Sequence, residues 1–572
     1  MKQYTALLIA LLISSLCYSQ ESLIPAEVQE NIQMRVDQAV HPGIVVGVVT
    51  PQGTDFYSYG VRSQNGEAVD EHSVFEIGSI SKTFTGILLA DQVVKSNLSL
   101  ETPLQALLPD SVTAPTRNGD SIHLYQLSNH TSALPRLPAN LSPADPANPY
   151  ADYSEEQLYD FLDGYELTRD IGSQYEYSNY AVGLLGHVLA ARQQTSYEDL
   201  MVRVIADPLK MPNTRVAFTP KMKEHLAIGH SYGAEVANWD LPTLAGAGAI
   251  RSTAADMIRY VAANMGLEKS ELYPALQLSH QKSGGEDSSS PVGLGWHLIE
   301  RNDSDIIWHN GGTGGYRAFA GFLRGGDKGV VVLTNSTAGV DDIGFRLLDD
   351  TTTLVTPQPS IATEIKKVLD REGTEAALQR YQELKEQSAE EYNFSEDQLN
   401  SLGYTYLEQE ETDKALAVFK LNVEAFPTSS NAYDSYAEAL MKNEENEQAI
   451  ANYKKSVELN PGNANGRQML ARLGVDTTTL VTEVDVDEAT LETYVGEYQL
   501  APGFILTVTR DGSQLIAQAT GQPAIPVFAK SEREFYWKVV DAQLRFNTDE
   551  EGNVVSATLF QAGMEIVGKK VE

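Results

Sequence analysis

The sequence predicts an α+β domain over residues 24–352, an all-helical repeat region over 360–475 and a small all-β unit over 488–572. Three observations point there. Strand-like runs stand at both ends of the first region with helical stretches between them, which suits an antiparallel sheet closed by the domain's own termini. Further on, a pattern of small and aromatic residues recurs every 34 residues. Past residue 488 the chain alternates with the period of strands.

Each element follows from local chemistry. M-K-Q-Y-T-A-L-L-I-A-L-L-I-S-S-L-C reads as a secretory signal over 1–19, with Lys2 before an apolar stretch from Ala6 to Leu16. That stretch is too short to span a bilayer, so no membrane anchor is expected in the mature chain. Cleavage near Ser19 removes the only cysteine, Cys17, and sends the protein to the periplasm or outside the cell. Lipidation of Cys17 is the lesser alternative, because Leu16 is bulky for that signal. G-I-V-V-G-V-V-T (43–50) and D-F-Y-S-Y-G-V (55–61) flank P-Q-G-T and read as a hairpin. A helix follows over 82–95. R-A-F-A-G-F-L and G-V-V-V-L-T-N read as two more antiparallel strands joined at Gly325-Gly326.

In the second region Gly403 maps to Ala437, Ala415 to Ala449, Leu416 to Ile450, Phe419 to Tyr453 and Pro427 to Pro461. Period and pattern look like tetratricopeptide repeats, with E-A-A-L-Q-R-Y-Q-E-L-K (375–385) as a degenerate first copy. Such arrays present a concave face to a protein partner, although a plain spacer role is equally open. The third region reads as a barrel or sandwich, from F-I-L-T-V-T, Q-L-I-A-Q-A, W-K-V-V, Q-L-R-F-N, V-V-S-A-T-L-F and E-I-V-G-K-K-V, with turns at Asp511-Gly512 and Glu551-Gly552.

Composition narrows the function. Asp plus Glu number 78 against 42 Lys plus Arg, a formal charge of −36, and that field repels phosphate backbones, so nucleic acid is not an expected partner. A mature chain without thiols excludes disulfides, thiolate zinc sites and a cysteine nucleophile. The sequence carries no H-E-x-x-H, P-loop, G-x-S-x-G or dinucleotide fingerprint, so no metal or nucleotide cofactor is expected.

Three short stretches suggest chemistry. In F-E-I-G-S-I-S-K-T-F-T, Ser79 and Lys82 stand one helical turn apart at the start of an apolar helix. A serine hydroxyl needs a base to attack, and a buried amine loses its ammonium character. The serine's own N–H at a helix start supplies half an oxyanion hole. The pattern recurs at Ser279 and Lys282, so spacing alone does not decide. In Y-S-N, Tyr177 and Asn179 precede a second apolar helix. A phenol beside a cation is partly phenolate, able to share the base's work, and Asn179 offers a donor to a substrate carbonyl and an acceptor to Lys82. The same residues also suit a helix cap with Tyr177 in the core. In W-H-N-G-G-T-G-G-Y, His309 ends an inner-strand pattern, and Gly311 and Gly312 leave an edge where an extended substrate can pair, or simply a turn.

Taken in order, S-I-S-K, Y-S-N and H-N-G resemble the serine β-lactamase and penicillin-binding group, within it the class C β-lactamase, DD-peptidase and esterase branch. H-T-S-A-L-P (130–135) and A-G-A-G-A-I-R-S-T-A-A-D-M (245–257) extend the resemblance across roughly 25–350. It implies a β-lactamase-like sheet flanked by helices with an all-helical subdomain. Ser79 is then the acylated nucleophile, and Lys82 and Tyr177 share general-base and general-acid duty. Asn179, His309 and Gly311 bind substrate, and the N–H groups of Ser79 and Gly312 hold the oxyanion. The expected substrate is an amide or ester acyl donor: a D-amino-acid peptide, a β-lactam or a small ester. His309 departs from the lysine of class C β-lactamases and looks more like the DD-peptidase and esterase members. The alternative is a sensor or scaffold whose repeats bind a partner, with little turnover.

Overall fold

The computed structural model describes residues 22–63, 66–145, 147–231, 233–283, 292–301, 304–476, 484–501, 504–520, 524–537, 542–549, 551–561 and 564–571. The stretch 1–19, read from sequence as a secretory signal, lies outside them. Among the described residues no helix is long and apolar enough to cross a membrane.

The elements that position the site are, in chain order, α1 (Ala26–Asp37), β1 (Gly43–Thr50), β2 (Gly53–Gly60), α2 (Ser81–Val94), α3 (Asn179–Arg192), α4 (Ala245–Gly248), α5 (Ala254–Met265), β3 (His297–Ile299), β4 (Ile306–Gly312), β5 (Arg317–Leu323), β6 (Gly329–Thr334) and α6 (Asp341–Leu348). The strands form one antiparallel sheet in the order β2-β1-β6-β5-β4-β3. The N-terminal hairpin turns at P-Q-G-T, as its sequence dictates, and β1 then pairs with β6, Ile44 opposite Thr334. The two ends of the domain thus complete one sheet. β1 and β6 are adjacent interior strands buried on both faces, which explains their continuous valine runs. α1 and α6 cover one face through Val28, Ile32, Ile343 and Leu347, packed on Val46, Val48, Phe319 and Val332. The other face meets α5 and the helical layer around α2 and α3, in a core that joins Val45, Val331 and Leu333 to Ile87, Leu89, Leu184 and Val261.

α2 has no polar face because it has no solvent face: every residue from Ser81 to Gln92 is buried. Small residues let its neighbours come close. A Cβ on Gly86 would stand 2.0 Å from the Leu294 carbonyl oxygen, and one on Gly186 3.0 Å from the Cα of Gly246 in α4. α4 is thereby wedged against both α2 and α3, beside the start of α2.

The repeat region comprises α7 (Ile361–Glu372), α8 (Thr374–Gln387), α9 (Glu396–Glu408), α10 (Thr412–Ala425), α11 (Ser430–Lys442), α12 (Asn446–Leu459) and α13 (Ala464–Arg472). The 34-residue correspondence is physical: Phe419 and Tyr453 are fully buried, each between the helices of its own pair. The degenerate stretch at 375–385 is α8, which packs with α7 as the leading pair. The last region begins with a short helix, α14 (Glu488–Tyr494), that the strand pattern did not announce. Eight strands follow, from β7 (Gly496–Ala501) to β14 (Met564–Val571), and they close into a barrel where Glu497 pairs with Val571. Two were not read from sequence, Gly496–Ala501 and Ile525–Ala529. The strand expected at W-K-V-V ends at Trp537, and the three residues after it lie outside the described set.

Candidate active site

Ser79 sits in the 3₁₀ turn Gly78–Ile80 that leads into α2. Gly78 has φ +53°, and a Cβ there would lie 2.6 Å from the Gly312 nitrogen. A Cβ on Gly311 would lie 1.9 Å from the Ile77 carbonyl oxygen and 2.9 Å from the Ser79 nitrogen. These two glycines are what allow the edge of β4 to press against the serine turn. β3 pairs with β4 only at Ile306, Ile307 and Trp308, so it leaves the stretch from His309 to Gly312 uncovered. Thr313 N–H donates to Tyr316 C=O at 3.1 Å, making that a hydrogen-bonded pair. By the alternation of antiparallel ladders, Gly312 and Arg317 form a non-hydrogen-bonded pair, and the Gly312 N–H points away from β5 toward the Ser79 side.

Lys82 is the second residue of α2 and is completely buried. Its Nζ is 2.9 Å from Ser79 Oγ and donates to the Ala247 C=O of α4 at 2.6 Å. Burial, and then the positive charge of Arg136, push its pKa well below the ordinary ammonium value. A neutral amine beside the hydroxyl is a proton acceptor. Ser279 and Lys282, the same spacing elsewhere, diverge: Ser279 Oγ donates to Leu276 C=O, while Lys282 pairs with Glu300.

Tyr177 comes from the residue before the cap of α3. Ser178 is that cap: its Oγ accepts from Ala181 N–H at 2.9 Å and donates to Pro135 C=O at 2.6 Å. The Ser178 N–H donates to His130 Nδ1 at 3.1 Å, which leaves the His130 ring proton on Nε2. This lattice fixes the tyrosine against the serine. Ser79 acts on the Tyr177 phenol, and Lys82 Nζ stands 4.7 Å from the ring centroid. The expectation of partial phenolate is overturned. Burial pushes the phenol up to about 12 against the smaller opposing effects of Ser79 and Arg136, and the neighbouring amine is itself depressed. The pair is amine plus phenol.

Asn179 is the first residue of α3, and its side chain hydrogen-bonds Tyr150. The acceptor expected of it for Lys82 is instead the Ala247 carbonyl. His309 is buried, its Nδ1 on the Asn310 carbonyl and its Nε2 without a partner among the described residues. Burial first, then His297 and Lys82, hold it well below the usual imidazole value; His297, 4.7 Å away ring to ring, is lowered to about 4. The strand end therefore presents a neutral lone pair where a lysine would present a charge.

Four groups escaped the reading of the sequence as parts of the site: His130, His297, Arg136 and the Ala247 carbonyl. His130 and Ala247 stand inside stretches already singled out, yet a backbone oxygen leaves no mark in a sequence. His297 had no signal of its own; the pairing of β3 with β4 brings it there.

Comparison with known proteins agrees with this geometry. A Beta-lactamase family model matches residues 28–351, a Tetratricopeptide repeat model 430–463, and a domain of unknown function (DUF3471) 482–571. A beta-lactamase of Psychrobacter immobilis is 26% identical over 380 residues, covering 58% of this chain and 90% of that protein. The D-alanyl-D-alanine-carboxypeptidase/endopeptidase AmpH of Escherichia coli K12 is 27% identical over 329 residues, covering 53% and 84%. The solved structure of a class C beta-lactamase shares the fold at TM-score 0.50 and 24% identity, over 57% of this chain and 96% of that one. With one family model spanning more than half of its residues around a serine and a buried lysine in hydrogen-bond contact, the chain belongs to the Beta-lactamase family and is a serine hydrolase.

Proposed function

We propose that the protein is an extracytoplasmic hydrolase that works through a Ser79 acyl-enzyme on amide or ester donors, whether D-amino-acid peptides, β-lactams or small esters. The observation that carries this is the 2.9 Å approach of a fully buried amine to Ser79 Oγ, with a neutral phenol beside it. Relatives named as beta-lactamase and as D-alanyl-D-alanine-carboxypeptidase/endopeptidase support the β-lactam and D-amino-acid peptide classes.

The chemistry follows from the protonation states. Lys82 takes the Ser79 proton as Oγ attacks the acyl carbon. The carbonyl oxygen becomes an oxyanion between the N–H groups of Ser79 and Gly312. Tyr177 gives its proton to the leaving nitrogen or oxygen and regains one from the Lys82 ammonium, so the bond to the leaving group breaks and the acyl-enzyme forms. Water then attacks the ester, with its proton passing back through the same pair, and releases the acid. Asn179 orients the donor's amide, and the free edge of β4 at Gly311 pairs with its extended backbone. His309, neutral, contributes a hydrogen-bond acceptor rather than a charge.

A fluorophosphonate or fluorescent penicillin should label the wild type and not Ser79→Ala. Equal labelling of the two, or none of either, defeats the acyl-enzyme and favours a sensor or scaffold. A panel of nitrocefin, p-nitrophenyl esters and D-alanyl peptides then ranks the leaving groups.

A further inference from the structure

Arg136 directly follows the H-T-S-A-L-P turn, and the reaction just described gives it no part. Its backbone is fixed: its C=O accepts the N–H groups of Asn179 and Tyr180 at 3.0 and 3.2 Å. Its side chain is exposed, with the guanidinium carbon 5.2 Å from the Tyr177 ring centroid. Among the described residues no carboxylate forms an ion pair with it. The other basic groups nearby are spoken for. Lys82, His130 and His309 are buried, His297 is half-buried, and all four are held neutral. Arg317 shares the face of Gly312 and Asn310, opposite the one that meets Ser79, and donates to the carbonyls of Thr313 and Tyr316.

The cleft has two ends. At one, Tyr177 with His309 and His297 forms the side where a leaving group takes its proton. At the other, Asn179 bonds Tyr150, whose ring meets Trp239 edge-on at 5.5 Å. Trp239 lies against the tip of the β4–β5 hairpin, where a Cβ on Gly314 would be 2.6 Å from the indole nitrogen. The Arg136 backbone holds Asn179 at this second end, while its guanidinium lies 5.2 Å from the Tyr177 ring centroid. Building on the acyl-enzyme reading, we propose that Arg136 is a specificity-determining residue that receives a carboxylate carried on the acyl half of the substrate. A guanidinium forks onto a carboxylate through two parallel N–H bonds and keeps its charge at any working pH.

Three esters separate the possibilities on the full chain: mono-p-nitrophenyl glutarate with an acidic acyl group, p-nitrophenyl butyrate with a neutral one, and m-carboxyphenyl butyrate with the acid on the leaving group. Wild type should prefer glutarate to butyrate, with a ratio of kcat/KM that is flat from about pH 6 to 9 because a guanidinium does not titrate there. Arg136→Gln should lower that ratio about tenfold or more, chiefly through KM, and Arg136→Lys should restore part of it. A ratio within about twofold of wild type in Arg136→Gln overturns the assignment, and so does a loss confined to m-carboxyphenyl butyrate, which places the cation at the leaving group. Retained fluorophosphonate labelling of Ser79 with an unchanged ratio removes this proposal alone. Absent labelling of the wild type removes the acyl-enzyme reading and this proposal with it.

Discussion

Lys82 and Tyr177 divide the proton work because burial acts on them in opposite senses, lowering the amine and raising the phenol. Both therefore rest neutral. Lys82→Ala and Tyr177→Phe should each slow acylation by about 10² or more, measured by stopped-flow labelling, the usual scale for a lost general acid or base. A change under about threefold in either removes that residue from the mechanism. The pH dependence has a definite sign. The amine acts only when deprotonated, so kcat/KM rises as pH climbs through the depressed Lys82 value and is level above it. Tyr177, at about 12, adds no fall at ordinary alkaline pH. Because Arg136 helps to depress Lys82, Arg136→Gln should move that acid limb to higher pH. An unmoved limb rejects the coupling.

At the level of elements, the site is a junction between a strand edge and a helix start, and glycines set its tolerance. Gly311→Ala drives a methyl into the Ile77 carbonyl, so β4 and the serine turn must separate. Ser79 labelling should fall by about two orders of magnitude, the scale at which the catalytic groups themselves matter, while the far-ultraviolet circular dichroism stays unchanged. The repeats contain a matched control. A Cβ on Gly403 would lie 2.6 Å from the Phe419 ring, whereas its counterpart one repeat later is Ala437, packed with Tyr453. Gly403→Ala should cost about 1–3 kcal/mol by urea unfolding, as overpacked cores do. A neutral result refutes the tight seating of α9 on α10.

For the molecule as a whole, the apolar clusters are separate. Those of the hydrolase part reach Leu354, and that of the repeats starts at Ile361. A chain ending at residue 358 should keep kcat/KM for a small ester within about threefold, the same threshold used above for a catalytic role; a larger loss makes the C-terminal regions part of the catalytic unit. Acid stability follows from histidines whose surroundings disfavour the charged form. His41 and His280 are lowered to about 3 and His297 to about 4, against about 6.5 when unfolded. The unfolded chain binds their protons first, so stability is whole above about pH 6.5 and declines as pH falls toward the folded values, by up to about 1.4 kcal/mol per pH unit for each group. The Tm of the hydrolase part should drop steadily from pH 7 to 5, and a level Tm refutes it.

Local pattern was enough for the sheet hairpins, the 34-residue repeat and the order of Ser79, Lys82, Tyr177 and His309, because strand period, helix period and turn glycines are properties of neighbours in the chain. What the tertiary structure decided was everything set by burial. The Tyr177 phenol keeps its proton because the packing around it takes it partly out of water, and no stretch of sequence carries that information. Lys82 donates to a backbone oxygen of α4, an atom common to every residue type. His297 reaches the site only through the β3–β4 pairing, and Arg136 only because its loop is tied to the start of α3. Charge state and convergence are long-range consequences of packing, and so they belong to the fold rather than to any motif.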